Sequence, residues 1–375
     1  MGVRRSNRNK NPPVFSHEFI IQNHADIVSC IAMVFVIGLM FQATSPVAAL
    51  FVSMQHNVTL NDTTNAAVDW TYYTYGLKDM FNVFFYSLIC IVLHAVVQEY
   101  VLDKLNRKMH LSKVKHSKFN ESGQLMVFYL ISAVWGIDLI VRESFFNINQ
   151  LWEGYPHANM TFVFKFYFII QISYWIHSFP ELYFQKLKKE EMPSRIQYAM
   201  LYLIFTVAAF LLNFTRVALV LLVLHYIVEF VYHTARLVYF AEKTDIANTI
   251  FMVFNVLFVI VRLGTITLAV LTFWYGLEQS SQETLNLAAG NFNTQLIRIN
   301  CLAAVVFLQG WMMWNFIYFH LKRLREKSIS SRKLKSPSKK KAKVASEEDI
   351  NSLPEVDQNS SEQNGVRARA KAKAK

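Results

Sequence analysis

The sequence has few charged residues, little glycine and only three cysteines, and each shortage excludes a class of protein. Asp, Glu, Lys and Arg make up 17% of the 375 residues, and only 11 residues are glycine. Soluble domains carry about 25% charged residues, and collagen has glycine at about every third position. Cys30, Cys90 and Cys301 lie inside apolar runs and form neither a disulfide framework nor a zinc site. A soluble globule, a collagen and a disordered chain are therefore excluded.

Long apolar runs are what the sequence does contain, with 53% hydrophobic residues and 31 phenylalanines. A membrane-spanning helix needs roughly 20 mostly apolar residues. The predicted fold is an all-α polytopic membrane protein, and its first span is expected to be a retained signal anchor rather than a cleaved signal peptide. Eight spans are predicted, at 27–47, 78–98, 123–142, 160–180, 196–212, 217–236, 250–275 and 297–319.

Lysine and arginine are distributed unevenly between the two sets of connecting loops. Residues 48–76, 143–159 and 277–296 contain neither residue, whereas the intervening flanks are basic. Because cytoplasmic loops of membrane proteins are enriched in Lys and Arg, the basic flanks are expected to face the cytosol. With eight spans, both termini are then cytosolic.

Two sequons lie in the first loop that lacks Lys and Arg. They begin at Asn57 and Asn61, and these two residues are the candidates for one or two glycans added in the secretory pathway. The sequons at Asn159 and Asn213 are on the same side but abut predicted spans, where a bulky glycan is not expected.

The chain divides by composition into four segments. Residues 1–26 form a basic cytosolic segment, 27–115 a region with two spans, 116–325 a domain with six spans, and 326–375 a disordered basic tail. The net charge is +12 overall, and residues 321–375 carry +9 of it. The tail is either a solvated positive-inside segment or a segment attracted to anionic lipid or ribosomal RNA. We expect no binding to DNA.

Ionisable residues at membrane depth are costly and are therefore candidates for function. His225, Glu229 and His233 are spaced four residues apart along one helix face, and Arg262 lies at matching depth in the next span. The stripe fits a metal site, acid–base catalysis on a lipid, or a polar packing seam in which Arg262 pairs with Glu229. Of the three we favour the packing seam, because zinc would need a further ligand from another helix and no motif calls for a metal or another cofactor. Lys165, closer to a helix end, is expected to snorkel to the interface.

Several ordered blocks resemble one family of membrane proteins. Residues 213–229 resemble the signature of the TLC domain, which translocating chain-associating membrane (TRAM) proteins share with ceramide synthases. The resemblance to TRAM proteins is closer and runs from about residue 12 to 325. It is carried by HADIVSC at 24–30, VQEY at 97–100, HSKFNESGQ at 116–124, FPELYFQK at 179–186 and HYIVEF at 225–230.

The resemblance also bears on whether the chain is an enzyme. Ceramide synthases have an adjacent His-His pair before the signature, and the matching positions here are Gln197 and Tyr198. A neutral amide cannot accept a proton, and a phenol with a pKa of about 10 is a poor base at pH 7. Of the two signature carboxylates, only Glu229 is present, because the other position is Tyr226. The resemblance therefore implies a non-enzymatic protein.

The family resemblance implies a multi-pass protein of the endoplasmic reticulum membrane that acts beside the Sec translocon. Its expected partners are the translocon, ribosome-bound nascent chains with their signal sequences, and membrane lipids. It would assist translocation of secretory chains and insertion of transmembrane segments. The alternative is a TLC-domain lipid-modifying enzyme, such as a ceramide-synthase-like N-acyltransferase, or a lipid sensor.

Overall fold

The structure is a computed structural model that describes residues 13, 16–61, 69–185 and 189–334. Helices dominate the described residues, because an uninterrupted apolar segment in lipid must satisfy its backbone hydrogen bonds internally. The elements are α1 (His17–Gln22), α2 (His24–Gly38), α3 (Ser45–Val52), β1 (Asn57–Asn61), β2 (Asp69–Tyr73), α4 (Asp79–Val97), α5 (Asp103–Met109), α6 (Lys113–Arg142), α7 (Phe162–Phe184), α8 (Met192–Leu211), α9 (Thr215–Phe240), α10 (Thr244–Ala269) and α11 (Gln295–Leu334).

Six helical stretches within the described residues are long and apolar enough to cross a membrane. They are Asp79–Met109, Lys115–Arg142, Met192–Leu211, Thr215–Phe240, Thr244–Ser280 and Gln295–Ser328. Each coincides with one of the eight predicted spans, so the predicted all-α polytopic class is confirmed. The remaining two predicted spans, 27–47 and 160–180, are helical as well but differ from the prediction in the ways described next.

The predicted span 27–47 is not one continuous helix. Helix α2 ends at Gly38, and a turn leads into the short helix α3, which has Pro46 in its first turn. The 15 residues of α2 rise about 22 Å, less than the roughly 30 Å of a bilayer core. A Cβ at position 38 would lie 3.2 Å from Cβ of Ala48, so glycine allows the two helices to approach closely.

Helix α7 replaces the predicted span 160–180 and is long enough to cross the membrane, but it carries polar side chains along its length. Lys165, Gln171, His177 and Glu181 are all buried against other helices. These residues lower the mean hydropathy of α7 without exposing charge to lipid. The helix is therefore an internal element of the bundle rather than an outer one.

Lys165 does not snorkel, contrary to the prediction. Its side chain is fully buried, and Nζ donates hydrogen bonds to the carbonyl oxygens of Gln55 and Thr74 at 2.8 and 2.7 Å. It also forms an ion pair of 2.7 Å with Oδ1 of Asp79. Lys165 thus joins α7 to both ends of the segment that contains the β-hairpin.

The three loops that lack Lys and Arg meet at one end of the bundle, which we call the capped end. Strands β1 and β2 form an antiparallel hairpin there, and Tyr73 pairs with Met160, which directly follows the second loop. The hydroxyl of Tyr155 donates to the carbonyl of Leu212 at 2.8 Å and accepts from the backbone N–H of Phe292 at 3.1 Å. These bonds tie the loops into one layer. The hairpin was not predicted.

The opposite end, which we call the basic end, carries the Lys- and Arg-rich flanks. Lys115 at the start of α6 forms an ion pair of 3.2 Å with Glu242, just after α9. At this end α11 continues to Leu334, past the predicted boundary near residue 325. The rest of the predicted disordered tail lies outside the described residues.

The core of the bundle lies between α6, α7, α8 and α9. Tyr129, Tyr167, Trp175 and Tyr226 are among its buried side chains. Helices α6 and α9 pack so closely that a Cβ at Gly136 would collide with the side chain of Val223. This packing fixes the helix faces on which the polar residues of the site lie.

Candidate functional site

A buried polar cluster, which we call the midplane network, links α9, α10 and α11. The guanidinium of Arg262 is fully buried, and its Nη2 lies 3.8 Å from Oε1 of Glu229 and 2.9 Å from Nδ1 of His225. Its Nη1 donates to Oε1 of Gln309 at 3.0 Å. The ring of Phe258 lies 4.7 Å from the guanidinium carbon. Arg262 therefore has a carboxylate, an imidazole, an amide and an aromatic face around it.

The contact with Arg262 decides the proton position on His225. A guanidinium can only donate hydrogen bonds, so Nδ1 of His225 accepts and its proton is on Nε2. This Nε2 contacts the hydroxyl of Tyr202 and lies 3.8 Å from Oε1 of Glu229. The imidazole is thus held neutral between a cation and a phenol. That arrangement suits packing and orientation better than proton abstraction from a substrate.

His233 does not join the midplane network, although it lies on the same face of α9. Its ring stacks on Tyr129 at a centroid distance of 5.7 Å. Its Nδ1 is buried and has no hydrogen-bond partner among the described residues. The predicted stripe is therefore divided into two parts. His225 and Glu229 meet Arg262, whereas His233 faces a cavity.

That cavity, which we call the polar cavity, opens at the basic end and has a volume of about 480 Å³. Its wall comes from six helices, α2, α4, α6, α7, α8 and α9. Glu229 and Tyr198 also line it, so the cavity reaches the midplane network. Its size is in the range of small-molecule sites.

One wall of the polar cavity carries three histidines and a carboxylate, which we call the acceptor cluster: His24, His94, His177 and Glu181. Oε1 of Glu181 lies 3.3 Å from Nε2 of His94 and accepts from Nε2 of Gln185 at 3.1 Å. Its other oxygen, Oε2, is buried and has no hydrogen-bond partner among the described residues. The rings of His94 and His177 are 5.7 Å apart.

The facing wall of the polar cavity carries arginine. Arg195, on α8, forms an ion pair with Glu121 of α6, and Glu121 also lies 3.7 Å from Nζ of Lys118. The guanidinium of Arg236 lies over the rings of Tyr232 and Phe240 at 5.6 and 5.9 Å. Arginines therefore line the cavity from α8 and α9, whereas the acceptor cluster lines it from α2, α4 and α7.

Gln197 and Tyr198, which match the His-His pair of ceramide synthases, lie in different surroundings. Gln197 is exposed on α8 and does not line the cavity, whereas Tyr198 lines it and contacts the hydroxyl of Tyr129. Tyr226 donates to Oε1 of Gln171 at 2.9 Å in the core. Tyr198 and Tyr226 are thus engaged in hydrogen bonds with neighbouring side chains, and Gln197 takes no part in these bonds.

The sequons differ in accessibility. Asn57 and Thr59 are exposed on β1 at the capped end, and Asn61 ends the same strand. Asn213 is fully buried, and its side-chain nitrogen donates to the carbonyl of Gly290 at 2.8 Å. Asn213 therefore stabilises the contact between two loops and is not available to a glycosyltransferase.

Sequence reasoning missed the acceptor cluster. His94 and His177 were not grouped, because they lie on separate helices and share no spacing motif. One signal was available, since both residues lie near the ends of predicted spans that run towards the basic end. Among the described residues, no three His, Cys, Asp or Glu side chains are placed to hold a metal ion.

The comparisons with known proteins agree with the helical bundle. The family model of the TLC domain matches residues 118–318. The chain is 46% identical over 327 residues to the translocating chain-associated membrane protein 2 of Homo sapiens. It has the same identity over the same length to the Mus musculus protein of that name. In each case the match covers 87% of this chain and 86% of the relative.

Proposed function

Because this chain belongs to the family of translocating chain-associated membrane proteins, we propose that it assists nascent chains as they enter the endoplasmic reticulum membrane. The observation that carries the proposal is the 46% identity over 87% of the chain to relatives named for that role. The proposed partners are the Sec translocon, ribosome-bound nascent chains and their signal sequences. The protein would stay in the membrane of the endoplasmic reticulum as a multi-pass protein.

The short helix α2 suggests how the protein helps a weakly apolar segment to enter lipid. A spanning helix shorter than the bilayer thickness is accommodated by local thinning of the bilayer. Helix α2 rises only about 22 Å, and its residues Met33, Val34 and Ile37 are exposed. Lipid beside α2 would therefore be thinner, and a marginally apolar segment would cross it at lower cost.

For orientation, we propose that the basic end and both termini face the cytosol and that the capped end faces the lumen. The support is the concentration of Lys and Arg at one end and the clustering of the three loops without these residues at the other. Protease added to sealed microsomes should then digest the C-terminal tail and spare the β-hairpin. Protection of the tail would contradict this orientation.

We do not propose acyl transfer, since Gln197 is exposed and Tyr198 is engaged with Tyr129. Purified protein supplied with acyl-CoA and a sphingoid base should yield no N-acylated product. Formation of product that is lost in Gln197→Ala would make the enzymatic alternative correct.

Site-specific crosslinking tests the translocation role directly. A stalled secretory nascent chain with a photoreactive residue in its signal sequence should form an adduct with this protein. The matched control places the photoreactive residue beyond the signal sequence, in chain that is still inside the ribosome. Absence of an adduct with any signal sequence tested would remove the proposed function.

A further inference from the structure

Within the part of the chain that the structure describes, the acceptor cluster has more acceptor atoms than it has hydrogen-bond donors. Nδ1 of His24 lies 2.8 Å from the carbonyl oxygen of Ile21, and Nδ1 of His177 contacts that of Tyr174. A carbonyl oxygen can only accept, so both histidines are protonated on Nδ1. Their Nε2 atoms are therefore acceptors. Together with Oε2 of Glu181, they give the cavity wall three acceptor atoms.

Glu181 adds a buried negative charge to this excess of hydrogen-bond acceptors. Its side chain is only 9% exposed, and its polar contacts among the described residues are with the side chains of His94 and Gln185 rather than with a lysine or arginine. Burying a carboxylate without a matching cation is costly. The orphaned Oε2 atom is where such a cation would bind.

We propose that the polar cavity binds a primary ammonium group at Glu181, and that this ammonium belongs to the headgroup of a membrane lipid. A primary ammonium has a positive charge and three N–H donors, which match one carboxylate oxygen and two imidazole acceptors. A quaternary ammonium has the charge without the donors, so it would leave the Nε2 atoms of His24 and His177 unmatched.

The rest of the cavity wall favours a lipid over a small soluble amine. Leu125, Leu182 and Phe184 line the same space as the acceptor cluster. Apolar carbon next to a polar headgroup site suits an amphiphile, because the acyl region can be buried while the ammonium binds Glu181. This inference does not depend on the proposed role in translocation, and it can be tested without a translocon.

The experiment uses the purified full-length chain in detergent micelles and phosphatidylethanolamine labelled in its headgroup. Saturable binding is expected. Phosphatidylglycerol with the same acyl chains lacks the ammonium, and phosphatidylcholine lacks the N–H donors, so neither should displace the label. Displacement by either lipid as effectively as by unlabelled phosphatidylethanolamine would overturn the proposal. Displacement by free ethanolamine at equal concentration would overturn the lipid source of the ammonium.

The key variant is Glu181→Gln, which keeps the shape of the side chain and removes the charge. Hydrogen bonds to charged groups contribute about 1.5–3 kcal/mol, so affinity should fall about 10- to 100-fold. Glu190→Gln is the matched control, since Glu190 is exposed near the same end of the bundle. Equal binding by Glu181→Gln and the wild type would refute the site.

A cavity-filling variant covers the case in which Glu181→Gln fails to fold. Ala95 lines the polar cavity from α4, and Ala95→Trp would occupy space that the headgroup needs. This variant should keep the thermal midpoint of the wild type and lose binding of phosphatidylethanolamine. Full binding by a folded Ala95→Trp variant would show that the lipid binds elsewhere.

Discussion

Nζ of Lys165 lies 2.7 Å from Oδ1 of Asp79, and both side chains are buried. The pair joins the start of α4 to α7 and, through the carbonyls of Gln55 and Thr74, holds both ends of the hairpin segment. A cation, a carboxylate and two carbonyls thus form one compact polar centre near the capped end.

Breaking this pair should destabilise the protein strongly. Lys165→Met leaves Asp79 as an unmatched buried charge, and such losses cost about 3–5 kcal/mol. Thermal unfolding in detergent should show a large decrease in the midpoint. Adding Asp79→Asn to Lys165→Met should restore part of the loss. Lys115→Met, which removes a more exposed ion pair with Glu242, is the control and should have a small effect.

Arg262 and Glu229 should behave as a coupled pair. Either Glu229→Gln or Arg262→Leu leaves the other charge buried, so each should lower the unfolding free energy by about 3–5 kcal/mol. The double replacement should cost less than the sum of the single ones. Additive effects in a double-mutant cycle read by thermal unfolding would show that the two residues are independent.

Asn57 should carry an N-glycan, because it is exposed on the hairpin at the proposed lumenal end. Endoglycosidase should shift the electrophoretic mobility of the wild type, and the Asn57→Gln and Asn61→Gln double variant should show no shift. Asn213→Gln is the control, since this residue is buried and its replacement should leave the glycan shift unchanged. A shift that persists in the double variant would place the glycan elsewhere.

The capped end should lose stability on acidification, and His157 gives a defined reason. His157 is buried and donates a ring N–H to the carbonyl of Glu153 at 2.9 Å. Burial, with the nearby charge of Arg216, lowers the pKa of His157 to about 4. An unfolded histidine has a pKa of about 6.5, so between these values the unfolded chain binds the extra proton.

The stabilising contribution of His157 to the unfolding free energy is therefore complete above about pH 6.5 and is lost as the pH falls towards 4. Between pH 7 and pH 5 the expected loss is on the order of 2 kcal/mol. The unfolding free energy of the wild type and of His157→Gln should be measured at both pH values. The comparison is needed because other groups also titrate in this range. An equal dependence on pH in both proteins would contradict the role of His157.

The sequence predicted the features that depend on local composition and helix depth. The apolar runs gave the helices, and matching depths on neighbouring spans suggested the approach of Glu229 and Arg262. The break after Gly38 was missed because residues 39–44 are themselves partly apolar, so hydropathy continued across the turn. Its cause is tertiary, since α2 and α3 pack together at Gly38 and Ala48.

The contacts that could not be predicted join residues far apart in the chain. Lys165 seemed close enough to a helix end to reach the interface, but its partners come from the hairpin segment and α4. His24 lines the same cavity as His177 and Glu181 because its ring, at the start of α2, stacks on Phe184 of α7. The hydrophobic periodicity of a single helix carries no information about contacts between distant helices.

The layer of side chains between the polar cavity and the capped end has a consequence for the barrier function of the membrane. Between Val217 and Leu224, α9 has only apolar side chains, and most of them are buried against its neighbours. This stretch of eight residues is about 12 Å long. An ion that entered the cavity would reach this apolar layer, and it would have to lose its bound water to go further, which is costly. The polar cavity therefore ends at this apolar layer, and we expect it to hold water on one side of the membrane without conducting ions to the other.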